Sequence, residues 1–293
     1  MRLALGHMFF SFMAAPKRVC VHAMVVLGLA ILVFGGPAGA AETPFARTQG
    51  AQVRLLAGEV KGNVLEAGIE IRLDPGWKTY WRYPGDSGTP PHLEWDGSRN
   101  LASSDAVEVQ FPAPQRFSDG GGGFSIGYKD KVLLPLRIAL ADAAKSTHLN
   151  LALDFAMCEA LCVPAHVRLV LEVPPGGDGL VPLLAAARAT VPVPVALGAP
   201  GPLGVDRVRV DTAHNPPMVV VEVRAGSDAD LFAEGTDDAW ALPLPQRESP
   251  AGGIFRFPLD GLPANATWHN ARIRLTLTQG DRAVQAEAVL TPP

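Results

Sequence analysis

Cysteine is scarce in this chain: three residues in 293, one of which, Cys20, lies in an N-terminal leader. Positive charge is also in deficit, with 25 Lys and Arg against 29 Asp and Glu. Nucleic acids and anionic membrane surfaces both reward clustered Lys and Arg, so the balance argues against either partner. No second long apolar run follows residue 34, which leaves no candidate membrane span beyond the leader. Helical periodicity is confined to one segment. No repeat of about 20–50 residues recurs, which excludes solenoids and propellers. No P-loop, Ser-His-Asp order or pair of carboxylates suggests itself, and the glycine run Gly120–Gly123 follows no strand-to-helix pattern, so a dinucleotide site is excluded. No cofactor is expected.

The leader itself is well marked. Arg2, Lys17 and Arg18 precede an apolar run, Val19–Phe34, and small residues follow in an Ala38-x-Ala40 pattern. This order is that of a cleaved signal peptide. The run has 16 residues, short of the roughly 20 needed to span a bilayer. Residues 1–40 are therefore expected to be removed, Cys20 with them, leaving a soluble periplasmic protein that begins near Ala41. Loss of the three basic residues moves the formal charge from −4 to −7. Two cysteines remain, and in an oxidising compartment such a pair forms a disulfide or cycles through one.

Period-two alternation dominates the rest. Ile69–Leu73, Val107–Phe111, Leu149–Phe155 and Val167–Val173 each alternate apolar and polar residues, the signature of half-buried strands. Pro135 marks its strand, Val132–Leu140, as an edge or a bulge. Leu180–Thr190, rich in Leu and Ala, is the one expected helix. It runs into Val191–Pro202, where four prolines favour an extended spacer. Strands resume at Val208–Val210, Met218–Val223, Ile254–Phe257, Arg272–Leu277 and Ala283–Leu290. The expected architecture is all-β: a sandwich over 42–175, a helix and Pro-rich linker over 176–204, and a second, smaller sandwich over 205–293.

The chemically specific stretch runs from Phe155 to His166 and contains Cys158 and Cys162. Extended, their Cα atoms would lie about 13 Å apart at roughly 3.3 Å per residue. A disulfide needs them within about 7 Å, so the chain must turn tightly between them. A bond that closes so small a ring constrains little unfolded-chain entropy and is a poor staple. As an exchanging bond it is well placed, near the surface between two strands. Spacing alone leaves three uses open: redox exchange, a structural bond, and metal ligation. For the last, Met157, Cys158, Cys162 and His166 form a soft set suited to Cu(I). The plainer account of that set is a core methionine and a solvent-facing histidine.

Three motifs in series narrow the choice. Gly76-Trp77-Lys78-Thr79-Tyr80-Trp81-Arg82, Gly127-Tyr128 through Pro135-Leu136, and Cys158-x-x-x-Cys162-Val163-Pro164 together resemble the N-terminal periplasmic domain of the DsbD family. The resemblance covers roughly residues 45–175. It implies an immunoglobulin-like sandwich that takes electrons from a membrane thiol reductase and passes them to oxidised periplasmic partners, thioredoxin-like or disulfide-isomerase proteins. Cys158 and Cys162 would be the exchanging pair. The loop Phe117-Ser-Asp119 through Phe124 would cap them, with Phe117 or Phe124 as the shielding ring and its glycines permitting an opening motion. Tyr80 and Tyr128 would contribute to the walls. The three-residue cysteine spacing is closer to the copper-tolerance relatives called ScsB than to DsbD itself. The electron source is expected to be another polypeptide. The rival expectation is a copper-binding or adaptor protein in which the cysteines are ligands or a structural disulfide.

Overall fold

The structure is a computed structural model, and it describes residues 42–119, 122–177, 179–235, 240–263 and 266–292. The expected signal peptide, Gly120 and Gly121 of the glycine run, and Asn265 of a formal glycosylation sequon lie outside those residues. No helix among the described residues is long and apolar enough to cross a membrane.

The N-terminal part is built from strands β1 (Ala46–Thr48), β2 (Ala51–Lys61), β3 (Val64–Leu73), β4 (Lys78–Gly85), β5 (His92–Glu94) and β6 (Val107–Val109). β7 (Gln115–Ser118), β8 (Phe124–Lys129), β9 (Lys131–Ala139), β10 (Thr147–Cys158) and β11 (Cys162–Val173) follow. One sheet has the order β1-β2-β3-β9-β6, the other β11-β10-β4-β8-β7, with β5 beside β10. Inward residues of both sheets, among them Leu55, Ile69, Leu134, Leu151 and Leu169, fill one core, as the alternation requires.

Pro135 sits inside β9, which has β3 on one side and the three-residue β6 on the other, and the β3–β9 register runs without a bulge. Neither an edge strand nor a bulge was needed. The Pro135 carbonyl accepts from Gln110 N just past the end of β6. In a strand a residue's nitrogen and carbonyl point to the same side, so the missing donor falls where the short neighbour has already ended.

Helix α1 (Val181–Arg188) follows, one turn shorter than expected at its ends. Leu184 and Ala187 pack on Leu56 and Leu133, on the outer face of the first sheet. Gly68 lies beneath the helix, where a Cβ would meet Leu184 at 2.7 Å. Arg188 grips Glu66 with two hydrogen bonds, and this holds the Glu66 carboxyl below its ordinary value.

The C-terminal part contains β12 (Val193–Pro194), β13 (Gly204–Asp211), β14 (Met218–Arg224), β15 (Asp230–Gly235), β16 (Gln246–Arg247), β17 (Ile254–Pro258), β18 (Arg272–Gln279) and β19 (Arg282–Val289). They form two four-stranded sheets, β12-β19-β18-β15 and β13-β14-β17-β16, around a core of Val219, Val221, Phe255, Phe257, Leu275 and their neighbours. The Pro-rich segment differs from a plain spacer, because Val193 and Pro194 pair in parallel with Val284 and Gln285.

The two sheet pairs touch. Phe232 and Leu244 of the C-terminal part belong to the N-terminal core cluster. Phe232 meets Trp81 edge-on, with ring centroids 5.9 Å apart. Tyr83 donates to the Leu242 carbonyl, and burial pushes the Tyr83 phenol up to about 12.

Candidate thiol–disulfide site

β10 and β11 form one long hairpin whose last register pair is Cys158 opposite Cys162. Glu159, Ala160 and Leu161 make the turn, and the two cysteines are joined in a disulfide with Cα atoms 4.1 Å apart. The required turn is thus a hairpin end. The sulfurs share one face, and alternation carries Met157 to the other. Cys162 is exposed and Cys158 half-buried. Leu161, between them, is 79% exposed, the most open large apolar side chain among the described residues.

β4 forms the floor. Lys78 lies opposite Cys158 and Thr79 opposite Met157, and the Thr79 hydroxyl donates to the Ala156 carbonyl at 2.9 Å. On its other side β4 runs against β8, where Tyr80 faces Gly127. The Tyr80 hydroxyl then reaches both sulfurs, 2.6 Å from Cys158 Sγ and 3.1 Å from Cys162 Sγ. A disulfide carries no proton, so the phenol is the donor. Burial pushes the Tyr80 phenol up, which keeps that proton in place at neutral pH.

A cavity of about 260 Å³ opens beside the bond, walled by Tyr80, Phe117, Ser87, Asp119 and Glu159. Phe117, on β7, is one of the two rings expected to shield the pair, and the Lys78 ammonium sits 5.4 Å from its centroid. Phe124 does not line the cavity. Its backbone N–H donates to Asp86 Oδ2 and its carbonyl accepts from Asp86 N, both at 2.9 Å. Tyr128 also faces away. It is buried, it donates to the Pro112 carbonyl at 2.9 Å, and burial raises its phenol strongly.

A second loop, Asp86 to Gly88, was not singled out from the sequence. The Ser87 hydroxyl reaches Ser125 Oγ at 3.2 Å and Asp119 Oδ2 at 3.4 Å, while Asp119 Oδ1 accepts from Gly123 N. Gly88 has φ of +119°, and a Cβ there would stand 2.2 Å from the Tyr80 ring. Only glycine fits both demands. The signal available in the sequence was the Gly85-Asp-Ser-Gly88 turn composition.

The four candidate metal ligands are not brought together. Met157 is fully buried in the core. His166 pairs with Asp154 across the hairpin, Nδ1 to Oδ1 2.8 Å, four register pairs from the cysteines. No cluster of three or more His, Cys, Asp or Glu suited to a metal occurs among the described residues.

Residues 49–174, which carry the cysteine hairpin, match the family described as the N-terminal part of the thiol:disulfide interchange protein DsbD. Among solved structures, the N-terminal periplasmic domain of ScsB from Proteus mirabilis is similar at 22% identity, with a TM-score of 0.68 over 86% of this chain and 99% of that one. That likeness of fold extends past the family segment into the C-terminal sheets. The GAE domain of GGA2p from Saccharomyces cerevisiae aligns at 11% identity over 46% of this chain and 99% of that one, with a TM-score of only 0.26. No curated protein matches the sequence.

Proposed function

We propose that this chain is a thiol–disulfide exchange protein of the bacterial periplasm, working through Cys158 and Cys162. The observation that carries the reading is the disulfide at a hairpin end, one cysteine exposed and both sulfurs within reach of a buried, protonated tyrosine. In the first step a partner thiolate attacks Cys162 Sγ in line with the S–S bond. That bond breaks and its electron pair leaves on Cys158, giving a mixed disulfide between Cys162 and the partner. The Tyr80 hydroxyl hydrogen-bonds the departing Cys158 thiolate, and a proton from solvent completes the thiol. A second partner thiolate then attacks the mixed disulfide at the partner's own sulfur and releases Cys162 as a thiolate. Cys162 then takes a proton from solvent and the two partner sulfurs are left joined as a disulfide, so that two electrons and two protons have entered the chain; the reverse sequence delivers them to an oxidised protein.

Access supports one assignment of the roles. Cys162 is the attacking sulfur toward partner disulfides, because it is the more exposed, and Cys158 resolves. Phe117 and Asp119 act as the cap that shields the pair between encounters. The leader and the family segment support the compartment. A membrane thiol reductase as donor, and thioredoxin-like or disulfide-isomerase proteins as acceptors, are the partners this reading implies.

The test is a pair of traps in the full chain. Cys158→Ser should accumulate a mixed disulfide with an oxidised thioredoxin-like protein through Cys162, and Cys162→Ser should not. The double Cys→Ala variant should lose all exchange while losing only about 2 kcal/mol of stability, the loop-entropy value for so short a ring. A wild type that exchanges no faster than an unstrained model disulfide would overturn the reading.

A further inference from the structure

Two strands that wall the disulfide are gripped by the C-terminal sheets. On β7, consecutive residues face opposite ways: Phe117 lines the cysteine cavity, and Arg116 reaches β15. Arg116 Nε and Nη2 bond Asp230 Oδ2 and Oδ1 at 2.9 and 2.8 Å, and Nη2 also donates to the carbonyls of Leu231 and Pro245. Its guanidinium lies 5.6 Å from the Phe124 ring and 5.8 Å from that of Phe232. On β4, two residues after Tyr80, Arg82 forks onto Glu234 with both bonds at 2.8 Å and adds Gln285 at 3.0 Å. The Arg82 and Glu234 side chains are only 22% and 8% exposed. Both forks end on one strand, β15.

We propose that the C-terminal sheets are a backing that holds the site wall in its shielding position, with Arg116 and Asp230 as positioning residues for Phe117. Arg82 and Glu234 do the same for the β4 floor. The proposal rests on the exchange reading above and assigns the C-terminal part a role in it. Among the described residues β7 is a four-residue edge strand that pairs only with β8, so its own ladder fixes it weakly. A planar two-bond fork fixes both distance and orientation, which a single contact does not. Removing one acceptor loosens the strand that carries Phe117 and leaves the disulfide, Tyr80 and the hairpin untouched.

The experiment follows reduction of the oxidised full chain by dithiothreitol, a small thiol that needs no docking surface. Asp230→Asn and Arg116→Lys should each raise the reduction rate by about fivefold or more, the scale on which loss of a charge-assisted pair shifts a two-state population. Phe117→Ala sets the unshielded ceiling, and adding Asp230→Asn to it should change the rate no further. Glu66→Gln is the control, since it removes an equally bonded clamp on α1, away from the site. Its melting temperature should fall as that of Asp230→Asn does, with the rate unchanged. The proposal is overturned if Asp230→Asn reduces no faster than Glu66→Gln, or if its effect multiplies that of Phe117→Ala. A wild type that dithiothreitol reduces but no thioredoxin-like protein does would instead count against exchange with proteins, and the two failures stay separate.

Discussion

Replacing Tyr80 by Phe removes one oxygen atom from the site and leaves the ring that packs against Gly88. That oxygen lies 2.6 Å from Cys158 Sγ, the sulfur that departs as a thiolate when Cys162 is attacked. A hydrogen bond to a charged group is worth about 1.5–3 kcal/mol. In the exchange transition state the charge is shared along three sulfurs, so roughly half of that, about 1 kcal/mol, is lost. A tenfold change corresponds to about 1.4 kcal/mol, and Tyr80→Phe should therefore slow reduction by about five- to tenfold. The reduced protein reports the full effect, because there the thiolate carries the whole charge. The thiolate pKa, followed by absorbance near 240 nm, should rise by about one unit or more. Stopped-flow reduction by a reduced thioredoxin-like protein at several pH values gives the rate, and a thermal melt shows that the fold is kept. A variant within twofold of the wild type, with an unmoved thiolate pKa, would refute Tyr80 as donor to the leaving sulfur.

Other perturbations reach the site and the frame separately. Gly88→Ala meets both a left-handed backbone and the Tyr80 ring, so it should lower the melting temperature and slow exchange together, by about 1–3 kcal/mol in stability; an unchanged melt would show that the loop yields freely. Leu161→Asp should slow exchange with a protein partner about tenfold while leaving reduction by dithiothreitol within twofold, because the exposed side chain is covered only in the protein complex; equal slowing of both would remove it from the interface. Glu66 is held below its ordinary value by Arg188, so its contribution is present above the unfolded carboxylate pKa and is lost as pH falls through the lower folded value. Glu66→Gln should therefore flatten the acid limb of the stability curve below about pH 4.5, and parallel acid limbs in denaturant titrations would contradict this.

The parts of the fold legible in the sequence were those with a local pattern. Much of β10 and β11 was legible from alternation over Leu149–Phe155 and Val167–Val173, and the distance between the cysteines required a tight turn without choosing between a helical turn and a strand-end loop. The helix on the first sheet was visible as a Leu and Ala run. β4 was not readable as a strand, because Tyr80 and Trp81 are both buried, one on the disulfide and the other in the core, which breaks period-two alternation. β15 was missed for a related reason: Leu231, Phe232, Ala233 and Glu234 are all buried. The forks from Arg82 and Arg116 span 152 and 114 residues, and a pairing over such distances leaves no periodic trace. Tyr80 was placed at the site by family likeness, and the Asp86–Gly88 loop was legible only as a turn.

The cysteines are opposed partners in a ladder of twelve register pairs, so the hairpin beneath them is held by backbone hydrogen bonds and by Leu151, Leu153 and Phe155 in the core rather than by the sulfurs. On the proposed exchange, reduction of the disulfide is expected to leave the polypeptide path as it was. On the exchange function proposed above, a protein built this way would keep almost the same shape in its two redox states, and successive partners could use one surface without waiting for it to refold.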